Sequence, residues 1–127
     1  MKNIIAAFIV LAPLISNAYS ESDRVSPAQK AAALGQLAEA RGTYFLLSEK
    51  TKFLLAALVN GQKELLRNGH RVTVLTHACE SGTGESSCQI ELGVQRIADG
   101  ESTVIAIDYA IGRNGVVTGA AESIIAN

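Results

Sequence analysis

The chain has 127 residues, enough for one domain around one hydrophobic core. Eleven Lys and Arg stand against twelve Asp and Glu, a net charge of −1, so neither the basic field of a nucleic-acid binder nor the cationic helix of a membrane-surface protein is present. Two cysteines and two histidines are the thiolate and imidazole ligands available for a metal.

The opening stretch, MKNIIAAFIVLAPLISNAYSESD, pairs Lys2 with an unbroken apolar run from Ile4 to Ile15 and then small, polar residues. This reads as a secretory signal peptide over residues 1–20, cleaved after Ala18 or Ser20. The apolar run falls short of the about 20 residues a spanning helix needs, so no stable membrane anchor is expected after cleavage. A periplasmic or secreted domain over residues 21–127 follows. Loss of Lys2 leaves ten basic side chains against twelve acidic ones.

A first helix is expected from SPAQ at Ser26 to Gln29. Ser26 can accept from the Gln29 amide, Gln29 can reach back, and Pro27 sits where its missing donor costs nothing. Alanines carry the helix to Arg41, Gly42 ends it, and Leu34 and Leu37 form its narrow apolar stripe. A second helical segment runs from Thr43 to Gly69, with a break at Asn60–Gly61. Tyr44, Leu47, Leu54, Leu55, Leu58 and Leu65 gather on its core face. Leu46 and Phe53 fall on nearly the opposite face, placed to meet the first helix or a partner.

From His70 the period changes from helical to alternating. Strands are expected over RVTVLTHA (71–78), CQIELGVQ (88–95), STVIAIDYAI (102–111) and VVTGAAESII (116–125). Between the first two lies ESGTGESS, bracketed by Cys79 and Cys88. In an exported protein this pair is expected to be a disulfide, contributing about 2.5 to 3 kcal/mol under the chain-entropy model. A metal site would need His70, His77, Glu80 and Glu85 to converge, and on a regular strand His70 and His77 have opposite parity. A nucleophile would need Cys79 with His77 as base, and a disulfide would consume that thiol. The loop lacks the lysine and hydroxyl of a phosphate cradle, and Glu80 and Glu85 would repel phosphate.

Turn chemistry gives the expected registers. A two-residue Asp99–Gly100 hairpin pairs Val94 with Ile105, Leu92 with Ile107 and Ile90 with Tyr109. A three-residue turn with left-handed Gly115 sets Ile111 against Val117 and sends Glu122 to the outer face. The first hairpin carries a conflict. Placing Cys79 opposite Cys88 turns Val72 and Val74 outward, whereas pairing Val72 with Val94 and Val74 with Leu92 sends the cysteines to opposite faces. A bulge, or a ladder ending near Thr76 and Ile90, would satisfy both.

The expected fold is α+β, two N-terminal helices packed on one face of a four-stranded antiparallel meander. Arg71, Thr73, His77, Gln89, Glu91, Gln95 and Asp108 would form the polar outer face, and Tyr109 a core aromatic with its hydroxyl at the rim. QIELG at Gln89–Gly93 is similar over five residues to the Gln-x-Val-x-Gly hairpin motif of cystatin-type protease inhibitors, with Glu91 in place of the valine. The similarity implies only that this element order is compatible with inhibition.

No set of catalytic residues, cofactor site or metal site is recognisable in the sequence. The leading expectation is a small exported interaction protein, an inhibitor or adaptor, that engages another exported protein through the loop 79–88. Its partner-binding residues would be Glu80, Glu85 and Phe53. Self-association through Phe53 and Leu46 is a second route. The rival is an apolar-ligand binder or enzyme with a cavity between helix and sheet lined by Leu54, Leu58, Ile105, Ile107 and Tyr109.

Overall fold

The computed structural model describes residues 25–61 and 69–126. The expected signal peptide therefore lies outside the described residues, as does the part of the second helical segment beyond Gly61. No helix among the described residues is long and apolar enough to cross a membrane.

Helix α1 spans Pro27–Ala38 and begins as its sequence demands. The Gln29 amide donates to Ser26 Oγ at 3.1 Å and the Ser26 amide to Gln29 Oε1 at 3.0 Å, a complete capping box with Pro27 in the first turn. The helix stops three residues before Arg41, at a Glu39 cap. Ala33 and Leu37 are buried, and Leu34 packs against the core beside them.

The second segment departs from expectation at its start. Ser48 caps α2 (Glu49–Val59) by accepting from the Thr51 amide at 3.1 Å, so Thr43–Leu47 is not helical. Within it Phe45–Leu46 forms strand β1. Helix α2 ends at the predicted break, with Asn60 as its cap. Its buried residues are Thr51, Leu54, Leu55 and Ala57.

The sheet consists of β1, β2 (His70–Ser81), β3 (Glu85–Arg96), β4 (Ser102–Gly112) and β5 (Val117–Ala126), ordered β1-β5-β4-β3-β2. It replaces the expected four-stranded meander with a five-stranded, mixed sheet, because β1 pairs in parallel with β5, Phe45 beside Ala120 and Leu46 beside Ala121. The physical reason is the Ser48 cap: it frees the preceding residues to lie along an otherwise open strand edge. Both helices pack on one face, where Leu37, Leu54 and Leu55 meet Val72, Ile90, Leu92, Ile107 and Ile111.

Two of the sheet's three register shifts decide which side chains reach that face. In β2, Val72 pairs with Val94 and Val74 with Leu92, while His77 pairs with Ile90 and Cys79 with Cys88. Leu75 is the extra residue, and it resolves the conflict between core and cysteines as anticipated. Its side chain lies on the outer face over Gly93, where an added Cβ would stand 3.3 Å from the leucine methyls. One consequence corrects the sequence reading: His77 moves from the outer to the inner face.

The second bulge lies in β5. Gly115 is left-handed (φ 83°) and Ile111 opposes Val117, both as predicted. The register then shifts at Thr118, so Glu122 opposes inward-facing Ile107 rather than pointing outward as expected. There its carboxylate accepts from the Ser48 amide, from Ser48 Oγ at 3.3 Å and from Thr51 Oγ1 at 2.8 Å. A negative charge at the N-terminus of α2 is the favourable placement for the helix dipole.

The β3–β4 hairpin differs from prediction by two residues. Its loop is Ile97–Gly100, closed by the Arg96 amide donating to the Glu101 carbonyl at 2.8 Å, with the Arg96–Asp99 ion pair across it. Leu92 thus opposes Ile105, Ile90 opposes Ile107, and Cys88 opposes Tyr109. A slip of two preserves every face, so the hydrophobic pattern accepts either register and the loop geometry selects one.

Candidate functional site

The segment expected to be a soft loop is mostly strand. Pairing continues past the Cys79–Cys88 disulfide through Glu80–Ser87 and Ser81–Ser86, and the Gly82 amide donates to the Glu85 carbonyl at 2.9 Å. Only Thr83 and Gly84 remain as the tip, Gly84 with φ 84°. The disulfide joins directly opposed residues and pins the hairpin near its end.

Beside it, on the inner face, His77 Nε2 meets the Tyr109 hydroxyl at 2.5 Å, the rings edge to face. Burial, and then the nearby Lys30 ammonium, hold the imidazole below its usual pKa. Burial pushes Tyr109 up to about 12. At neutral pH the pair is an uncharged imidazole against a protonated phenol, linking β2 to β4. Lys30 Nζ donates to the His77 carbonyl at 3.2 Å and so joins α1 to the same strand. Tyr109 is thus the core aromatic expected, with its hydroxyl engaged by a histidine that sequence parity had placed on the other face.

The opposite, outer face of the sheet carries an open trench of about 750 Å³ that no described helix covers. Strand register explains its shape. One row of neighbours across the five strands is Ala78, Gln89, Asp108, Ala121 and Leu46; the next begins Glu80, Ser87, Ala110 and Gly119 and ends at Tyr44. The centre of the second row is serine, alanine and glycine, so the floor is low there. Gly119 lets β1 approach closely, since an added Cβ would stand 3.2 Å from the Tyr44 carbonyl, a tight contact. At the β1 end rise Tyr44 and Leu46, 77% and 67% exposed. At the β2 end stands the carboxylate of Glu80, and on the middle strand that of Asp108, which accepts from Gln89 Nε2 at 3.1 Å. At about 4.8 Å per strand step, four steps give the trench a length of about 19 Å.

Of the three partner-binding residues expected from sequence, Glu80 lines this trench. Glu85 lies one hairpin step beyond it and accepts from Thr118 Oγ1 at 3.3 Å. Phe53, 41% exposed, belongs to the helix layer on the other side of the sheet. It shares no surface with the two glutamates. Leu46 is likewise separated from Phe53, being on β1 rather than α2, so the two do not form the expected self-association face. Leu54, Ile105, Ile107 and Tyr109 belong to the packed core, with Leu58 against it.

The Leu75 bulge does place His70 and His77 on the same side of β2, yet no three His, Cys, Asp or Glu among the described residues form a group able to hold a metal ion. Gln89–Gly93 lies in the middle of β3, away from any hairpin tip.

The residues sequence reasoning missed are Tyr44 and the small outward positions Ser87, Ala110 and Gly119. A signal for Tyr44 existed: Gly42 and the Ser48-Glu49 helix start bracket a five-residue segment, four of them apolar or aromatic, too short for a helix. Comparison with protein-family models, with curated proteins and with solved structures yields no significant match.

Proposed function

We propose that this chain is a small exported, non-catalytic binding protein that recognises another exported protein through the outer face of its sheet, beside the disulfide-pinned hairpin. The observation that carries the reading is the trench itself. Adjacent strands align small side chains in one row and raise exposed Tyr44 and Leu46 at its end. Exposed aromatic and aliphatic side chains over a flat, small-residue floor are the composition of a recognition surface. The disulfide supports it by fixing two strands of that floor against shear.

The test is site-specific photocrosslinking in cells. A crosslinker at Ser87 in the trench is expected to capture a defined polypeptide, and one at exposed Lys50 on α2 is not. Equal capture from both positions, or none from Ser87, would remove the trench from consideration. Intact mass of the chain from the exported fraction checks the compartment, with a start near Tyr19 or Glu21 and a gain of two hydrogens on reduction expected.

A further inference from the structure

From the trench and its charges, and resting on the reading above that the outer face is the recognition surface, we infer that its occupant is an extended, cationic polypeptide segment with an apolar residue at one end. Three observations converge. First, the trench crosses all five strands over a length of about 19 Å, which matches five or six residues of extended chain at about 3.3 Å each. Second, its floor at Ser87, Ala110 and Gly119 carries almost no side-chain bulk, so a peptide backbone can lie close to the sheet. Third, its polarity is ordered along its length.

The β1 end offers Tyr44 and Leu46, an apolar and aromatic site for one hydrophobic side chain. Two strand steps from Leu46 stands Asp108, and four steps from Tyr44 stands Glu80. None of the described lining residues carries a positive charge. Gln89 donates to one Asp108 oxygen and thereby orients the carboxylate over the trench. A Lys or Arg placed two and four strand spacings from an apolar anchor meets both carboxylates, and an acidic segment would meet only repulsion. The tyrosine face adds a site for a guanidinium or ammonium next to the anchor.

The experiment is a positional-scanning hexapeptide library presented to the protein purified from the fraction in which it accumulates, with its disulfide oxidised. Selection of Lys or Arg together with one apolar position is expected. The preferred peptide, fluorescein-labelled, is then titrated by anisotropy. Glu80→Gln combined with Asp108→Asn should weaken binding about tenfold, and the loss should shrink at high salt. Ser87→Lys, at an exposed floor position, should weaken it at least as much by placing the occupant's own charge in the trench. Lys50→Ala should leave it unchanged.

Selection of acidic or uncharged peptides that Ser87→Lys still displaces would overturn the cationic assignment and leave the trench as the recognition surface. Binding indifferent to Ser87→Lys would overturn both. Failure of every peptide to bind would refute the proposed occupant.

Discussion

Removing one residue from the middle of a core strand is ordinarily disastrous, because every side chain beyond it changes face. Deletion of Leu75 is expected to be tolerated. Leu75 is the unpaired residue between Val74–Leu92 and Thr76–Glu91, so its removal leaves a regular ladder in which Val72, Val74, His77 and Cys79 keep their faces and partners. The loss is the partial cover Leu75 gives Gly93. A half-exposed leucine forfeits about 1 kcal/mol of apolar burial, against which ladder continuity returns a fraction. The net change should lie within about 1 kcal/mol, with the disulfide intact. Insertion of an alanine after Thr76 has the opposite effect. With two extra residues every side chain keeps its face but the register slips by two, so while Val72 and Val74 hold their partners Cys79 no longer stands opposite Cys88. Loss of the disulfide alone removes about 2.7 kcal/mol for a ten-residue loop. The two variants are compared by urea unfolding followed by circular dichroism and by thiol titration of the unreduced chains. Free thiols or a collapsed midpoint in the deletion variant, or wild-type stability in the insertion variant, would refute the assignment of Leu75 as the bulge.

Three further outcomes are expected. Glu122→Ala removes the carboxylate that receives Ser48 and 1%-exposed Thr51, and should cost about 2 kcal/mol in urea unfolding, with Glu122→Gln recovering part of it; a change below about 0.5 kcal/mol would show the contact to be idle. The Gln36 side chain donates to the Gly115 carbonyl and accepts from the Val117 amide, both at 2.8 Å, so Gln36→Ala should destabilise by about 1 to 2 kcal/mol and speed amide exchange at Val117 above that of β3 amides. His77 is held below its unfolded pKa, so the unfolded chain binds the extra proton first; the stability this group contributes is present above the unfolded value, near 6.5, and is lost as pH falls through the lower folded one. The urea midpoint should drop on acidification from pH 7.5 to 5.5 by more in the wild type than in His77→Gln, and equal drops would assign the effect elsewhere.

Much of this was written locally. The Ser26-Pro27-x-Gln29 start, the Asn60–Gly61 break, the Gly115 turn and the alternation of β3 and β4 are short-range patterns, each read from fewer than a dozen neighbouring residues, and each is where it was expected. Ser48 is a local signal too, but Tyr44 and Leu47 continue the helical periodicity of Leu54, Leu55 and Leu58, and that periodicity masks the cap inside the segment. Strand β1 has two residues and no periodicity of its own; only the open edge of β5, more than seventy positions away, makes it a strand.

The sequence by itself determined the pairing of its two cysteines and the succession of the two helices and the four long strands, because these depend on composition and on neighbours along the chain. The tertiary structure decided which faces the side chains take and hence where recognition can occur. Two single-residue bulges turned His77 and Glu122 inward, and the stacking of five registers aligned Ser87, Ala110 and Gly119 into a trench. The reason is the two-residue repeat of a β-strand. Periodicity reports parity within one strand, but it is silent on an inserted residue and on which small side chain will stand beside which, and those are settled only when strands distant in sequence pair.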